Sequence, residues 1–370
     1  MPVNAMTVSA GEALDTLRAG WQAQAAGRLT TAWMLHGAPG VGKTQVVTRL
    51  AAEIDAPLHD LRLTTIEPQD LRGLPFYDHE ARTTVWYRPE DLPQGGPAVL
   101  FLDELTAAAP SLQPTVYGLL QERRVGRHRL PDSVFLVAAG NLVEDGAVAY
   151  EMGTGLSDRL VHLHVRPAAS DWIERYAVPR GLHPAVTAFI RTRPDLLDTT
   201  ERAIDRGDMI ACTPRSWERV SRILEATGER RLRDIMVAGT VGEAVAADFA
   251  LIADDIAASV RIDEMLAARP ADRSALYPAT MHGLNALIHG LVGALDRENA
   301  AGVIEIMAGI RDLGGQREED AFRRMPLSEL TTYGFEMLIA KGLEAGLQDA
   351  FLASPSFRAY SEARKAAGLG

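Results

Sequence analysis

The residues best placed to do chemistry are Gly37-Ala38-Pro39-Gly40-Val41-Gly42-Lys43-Thr44, which fit the spacing G-x-x-x-x-G-K-[ST]. Glycines at these intervals let backbone N–H groups turn inward around phosphates at the positive end of a helix. Lys43 would reach the β- and γ-phosphates and the Thr44 hydroxyl would hold Mg²⁺. Gln45 follows in the helix and completes the set expected to touch nucleotide. The flanks suit this arrangement, because Trp33-Met34-Leu35 leads in as an apolar strand and Thr44 to Leu50 leads out as a helix. So short a pattern also arises by chance, so the residues downstream decide its meaning.

A second constellation is Val99-Leu100-Phe101-Leu102-Asp103-Glu104, an apolar strand ending in two acids. Asp103 would bind Mg²⁺ through water, and Glu104 would orient and activate the water that attacks the γ-phosphate. On its own this is equally a buried strand with a solvated acidic end. The phosphate loop about 60 residues upstream favours the catalytic reading. Asn141 ends the next strand, where its amide could reach the γ-phosphate or hold the attacking water; the plain alternative is a turn-forming Asn after Gly140. Arg159 lies just before the last expected strand, where it suits a finger inserted into a neighbouring subunit's site, or else a surface ion pair with Asp158. Arg215 opens a later helix, with Thr213 as N-cap and Pro214 at the first position, and could sense a γ-phosphate or be ordinary surface charge.

The elements that must position these residues read as an α/β domain followed by helices. A helix is expected over Ala10–Gln24, and strands over Ala32–His36, His59–Leu63, Ala98–Asp103, Val134–Ala139 and Val161–Val165, interleaved with helices as in a parallel sheet. Two hairpins interrupt the core, one within Arg72 to Pro93 and a shorter one from Arg124 to Arg129 around Gly126. Beyond Arg166-Pro167 the pattern is helical, with helices expected at Asp171–Tyr176, Pro184–Thr192, Pro214–Ala226, Asp234–Ile256 and Leu284–Leu295. In the last, Leu284, Leu287, Ile288, Leu291, Val292 and Leu295 share one face at 3.6-residue period.

Other residues invite two readings each. Phe76, Tyr77, Trp86 and Tyr87 of the first hairpin either grip a client or pack the hairpin onto the core. Arg123, Arg124, Arg127 and Arg129 read as a solvated basic run facing a neighbouring subunit, with acidic partners or nucleic acid as alternatives. His36 reads as a strand-end histidine and not as a ligand. No Cys/His spacing suggests zinc, and no Ser–His–Asp arrangement is evident.

A net charge of −11 argues against a broad electrostatic grip on nucleic acid or an anionic membrane. The single cysteine, Cys212, allows no internal disulfide, which suits a reducing cytoplasm. No signal-peptide pattern and no apolar run of about 20 residues is present, so a cytoplasmic protein without a membrane span is expected.

Taken together, these motifs resemble the AAA+ ATPases, and within them the MoxR family, over about Thr31 to Ile256. In that resemblance Gly37–Thr44 is Walker A, Asp103-Glu104 is Walker B, Asn141 is sensor 1, Arg159 the arginine finger and Arg215 sensor 2. Glu67-Pro68-Gln69-Asp70-Leu71-Arg72-Gly73 looks like the lead into an insertion in helix 2, and the Arg124–Arg129 hairpin like the insertion before sensor 1. The spacing from Asn141 through Glu144 and Gly146 to Asp158-Arg159 also follows the family, with Leu142 where Pro is usual and Leu160 where Phe is usual.

The resemblance implies a five-stranded parallel sheet of order 5-1-4-3-2 over residues 1–165, an α-helical lid over 166–262 and a helical extension over 263–370. It also implies Mg²⁺ and ATP as cofactors and a homo-oligomeric ring, generally a hexamer, in which each site is completed by the next subunit. A von Willebrand factor A domain protein would be the partner, acting with it on a protein client. Arg215 could serve its own subunit or a neighbour. Two rival readings stand beside this one. The first is a nucleic-acid motor or restriction-type ATPase, which the acidic charge disfavours. The second is a slow nucleotide-gated assembly scaffold, which Glu104 disfavours.

Overall fold

In the computed structural model, residues 4–142, 157–317 and 320–366 are described. The chain forms two units, the first comprising residues 1–168 with 200–209, the second residues 169–199 with 210–370.

The first unit is built on a parallel sheet whose strands are β1 (Thr7–Val8), β2 (Ala32–His36), β3 (Leu58–Arg62), β6 (Ala98–Asp103), β9 (Val134–Gly140) and β10 (Leu160–Val165). Their spatial order is β1-β10-β2-β9-β6-β3. The sheet therefore has six strands and not five, and its order begins with a strand absent from the sequence-based expectation. Thr7 pairs with His164 and Val8 with Val165 along the outer side of β10. Two residues are too few to show a period of two, so the pattern carries no sign of this strand.

Strands β2, β6 and β9 are buried along their whole length, as expected of a sheet covered on both faces. Alternation sorts their side chains. Trp33, Leu35, Val99, Phe101, Phe135 and Val137 join Leu14 and Leu17 of helix α1 (Ala10–Ala25) and Val46, Val47 and Leu50 of helix α2 (Lys43–Glu53). Met34, Leu100, Leu102, Leu136 and Ala138 face the other way, onto Val116, Leu119 and Leu120 of the helix Gln113–Glu122. Helix α1 starts where Ser9 and Glu12 form a reciprocal capping box, which satisfies two backbone donors that would otherwise lack partners.

The two hairpins are present as β4 (Pro75–Asp78) with β5 (Thr83–Trp86), and β7 (Arg124–Val125) with β8 (His128–Arg129). In the first, Phe76, Tyr77, Trp86 and Tyr87 are all exposed, so packing onto the core is not what holds them. In the second, the expected solvated run needs correction at Arg123. Its guanidinium turns inward to donate to the carbonyls of Pro131 and Val134, and burial lowers its pKa.

The second unit is helical. Phe189, Trp217 and Phe249 stand 5.2–5.6 Å apart, centroid to centroid, and the Trp217 indole donates to Leu196 O at 2.8 Å. The helix expected over Asp234–Ile256 is two helices, Arg230–Val241 and Glu243–Ser259. The break falls at Gly242, whose φ of 88° lies outside helical geometry. One hydrophobic core runs from Trp172 through Ile256 to Leu284, Ile306 and Phe351, so the helices expected as lid and those expected as extension share it.

Candidate nucleotide site

The phosphate loop lies in the first unit, between the buried strand β2 and helix α2. Its glycines take up the conformations that the spacing demands, with φ of 153° at Gly37, 88° at Gly40 and 105° at Gly42. Gly37 is also held by close packing, since a Cβ there would lie 2.4 Å from the carbonyl oxygen of Val165. Gly42 caps α2 without a side chain, which presents the positive end of the helix to the hollow of the loop.

Lys43 and Asp103 are both buried. The Lys43 ammonium donates to Gly37 O at 2.5 Å, Ala38 O at 3.0 Å and Asn141 Oδ1 at 2.9 Å. Thr44 Oγ1 donates to Asp103 Oδ2 at 3.1 Å, and the Glu104 N–H donates to Asp103 Oδ1 at 2.9 Å. The sheet makes this convergence possible, because parallel neighbours β2, β6 and β9 all deliver their C-terminal ends to one edge. Thr44 and Asp103 supply hard oxygen donors. Mg²⁺ bound through one or two protein oxygens, with waters and phosphate completing its shell, fits such a pair.

Glu104 has a left-handed backbone, φ 60° and ψ 35°, unusual for a residue with a side chain. Its carboxylate accepts a hydrogen bond from the Thr64 hydroxyl and lies 3.9 Å from the Arg62 guanidinium. Thr106 Oγ1 donates to the Asn141 backbone carbonyl at 2.9 Å.

Five of the residues chosen from sequence thus come together: Lys43, Thr44, Asp103, Glu104 and Asn141. The other two are Arg159 and Arg215. Arg159 is exposed and donates to Gln121 Oε1 at 2.9 Å, and Arg215 is exposed in the first turn of Pro214–Ala226 in the second unit. The Thr213 cap is present, with Thr213 and Ser216 bonded reciprocally. Glu144 and Gly146 of the family spacing lie outside the described residues. Sequence reasoning missed Arg62, Thr64 and Thr106. Thr64 follows the strand adjacent to that of Glu104, and only pairing of those strands reveals its role.

Residues 32–162 match the family described as "ATPase family associated with various cellular activities (AAA)". These residues form an AAA-family ATPase domain. The matched AAA segment begins at β2 and ends within β10, so it contains the whole phosphate loop, Asp103-Glu104, Asn141 and Arg159. Among curated proteins, the chain is similar to the ATPase family gene 2 protein homolog B of Mus musculus, 36% identical over 100 residues, which is 27% of this chain and 11% of that protein. The Bos taurus protein of the same name is 31% identical over 142 residues, 37% of this chain and 16% of that protein. The chain thus spans between a tenth and a sixth of these relatives' length.

Among solved structures, a RuvB variant from Thermotoga maritima aligns at 14% identity and a TM-score of 0.39, covering 88% of each chain. A putative ATPase from Cytophaga hutchinsonii aligns at 16% identity and a TM-score of 0.34, covering 90% of each. Among the described residues, no helix of this AAA-domain protein is long and apolar enough to cross a membrane.

Proposed function

We propose that the protein is a ring-forming AAA+ ATPase of the MoxR type, which couples Mg-ATP hydrolysis to remodelling of a protein client with a von Willebrand factor A domain partner. The observation that carries the hydrolytic part is the convergence of Lys43, Thr44, Asp103, Glu104 and Asn141 at the C-terminal edge of the sheet. The MoxR assignment, the hexameric ring and the partner rest on the motif spacing and the two hairpins.

Each side chain then has a distinct task. The backbone N–H groups of Gly37 to Gln45, Pro39 excepted since it has none, and the end of α2 would bind the phosphates. Lys43 would exchange its carbonyl partners for β- and γ-phosphate oxygens, gaining charge-assisted bonds in place of neutral ones. Mg²⁺, held by Thr44 and, through water, by Asp103, would neutralise charge on the phosphate oxygens. Asn141 presents its amide nitrogen on the side away from Lys43 and would orient the γ-phosphate or the attacking water. Glu104 would accept the proton of that water as oxygen bonds to phosphorus and the β–γ bridge breaks, leaving ADP and phosphate. Arg159, exposed at the unit's surface, would stabilise charge in a neighbour's site, and Arg215 would report the γ-phosphate to the helical unit.

Phosphate release from ATP, with and without Mg²⁺, tests the enzyme reading. Wild type should turn over only with Mg²⁺, while Glu104→Gln should bind ATP without hydrolysing it. Sedimentation in ATP should show a closed ring, and the Glu104→Gln ring should retain a von Willebrand-type protein from native lysate. Turnover unaffected by Glu104→Gln would overturn the mechanism, and a monomer at all nucleotide states would overturn the ring.

A further inference from the structure

Three histidines lie on one face of neighbouring strands: His36 on β2, and His162 and His164 on β10. His36 immediately precedes Gly37 of the phosphate loop, and His162 follows Arg159 by three residues. His36 pairs in register with His164, and Met34 with His162, so His36 and His162 are diagonal neighbours. His36 Nε2 and His162 Nδ1 are 2.8 Å apart, with ring centroids at 5.1 Å and planes 14° apart. Rings so placed meet edge to edge, as an in-plane hydrogen bond requires. On its far side, His162 Nε2 lies 2.9 Å from Ser157 O and 3.2 Å from Ser157 Oγ.

The proton positions follow from burial. His36 Nδ1 is buried and has no hydrogen-bond partner among the described residues. A buried N–H without an acceptor is the costlier orphan, so the His36 proton belongs on Nε2. His36 then donates to His162 Nδ1, which leaves His162 to donate from Nε2 to Ser157 O. The bonds run one way, from the loop toward the segment that bears Arg159. The loop end is coupled as well, because the Gly37 carbonyl, next to His36, is a partner of the Lys43 ammonium.

We infer that His36 and His162 are positioning residues that link the phosphate loop to the Ser157–Arg159 segment, so that the state of a subunit's own loop sets the arginine it offers to its neighbour. When Lys43 leaves Gly37 O for a phosphate, the Gly37 peptide is released next to His36. The adjustment passes through two hydrogen bonds to Ser157, two residues before Arg159. This inference rests on the proposed role of Arg159 in a neighbouring site.

Mixed rings test it. Subunits carrying Arg159→Ala keep a complete site but offer no arginine, and subunits carrying Glu104→Gln have a dead site but an intact arginine. Mixing them should restore ATP turnover at the Arg159→Ala sites. A Glu104→Gln donor that also carries His162→Phe keeps the ring shape and loses both nitrogens, and it should restore about tenfold less, the weight of one hydrogen bond. His162→Gln, which can accept from His36 and donate to Ser157, should recover most of the loss.

His36→Phe in the donor should cost as much as His162→Phe, and the double variant no more than either, since both break one chain. This second route stands even if one variant fails to fold. Additive losses, or equal restoration by the intact and His162→Phe donors, would overturn the relay and leave the role of Arg159 standing. No restoration by the intact donor would overturn both.

Discussion

The Lys43 ammonium and the Asn141 side-chain oxygen, 98 residues apart in sequence, meet at 2.9 Å where β2 and β9 end side by side. The contact fixes the amide orientation, because only its oxygen can accept from an ammonium. The amide nitrogen of Asn141 would then be the group that donates to a ligand. Asn141→Ala should lower turnover by roughly 10²-fold, the cost of one donor aimed at transition-state charge. It should leave ATP affinity nearly intact, whereas Lys43→Ala should abolish detectable binding. Fluorescent-nucleotide titration alongside phosphate release separates the two, and equal loss of affinity in both variants would contradict the distinction.

Glu104 occupies a left-handed backbone conformation at φ 60°, which costs a residue bearing a Cβ about 1–2 kcal/mol. Glycine adopts that conformation freely at some cost in chain entropy. Glu104→Gly should therefore be inactive yet more stable than Glu104→Ala by about 1 kcal/mol. Chemical denaturation of both variants checks this. A glycine variant less stable than the alanine variant would show that the backbone is not strained there.

The Thr64 hydroxyl holds one oxygen of the Glu104 carboxylate, while Arg62 lies 3.9 Å from the other. In this arrangement the carboxylate is turned toward β3 and must leave Thr64 to engage a water freely. Thr64→Val keeps the shape and removes the donor. It should raise basal turnover by about tenfold, the weight of one hydrogen bond. Steady-state phosphate release at saturating ATP is the measurement, and a fall in turnover would mean that Thr64 holds Glu104 in its working position.

Much of this site was legible because its parts are local in sequence. Gly37 to Thr44 carries its own turn geometry, and Asp103-Glu104 ends an unbroken apolar strand. The residues that tune it were not legible, since Thr64, Thr106 and His162 act through partners 40, 35 and 126 residues away. No spacing encodes such contacts; strand order creates them. For the same reason β1 escaped notice, because two residues show no alternation and pairing with β10 alone defines them. Arg123 looked like part of a basic surface run because its neighbours are arginines. Its φ of 53° ends the preceding helix and helps turn the side chain inward.

Two buried histidines give each unit its own acid sensitivity. Burial holds His36 in the first unit and His289 in the second at about 3, well below the ordinary histidine value of 6.5. His289 Nδ1 lies 2.9 Å from Thr187 Oγ1 and its Nε2 lies 3.1 Å from the Tyr333 hydroxyl, so burial and not a lack of acceptors disfavours its charged form. Arg191 lies over the Tyr333 ring, and its charge opposes protonation of His289 further. Because the folded pKa is depressed, the unfolded chain takes up the proton first. The stability linked to each histidine is complete above about pH 6.5 and is lost progressively as the pH falls toward about 3. Between pH 7.5 and 4.5 each should cost its unit roughly 2–3 kcal/mol. Urea unfolding across this range, compared with His36→Gln and His289→Gln, isolates these contributions from the carboxylates that titrate below. Each variant should flatten the pH dependence of its own unit, and an unchanged slope would place the proton uptake elsewhere.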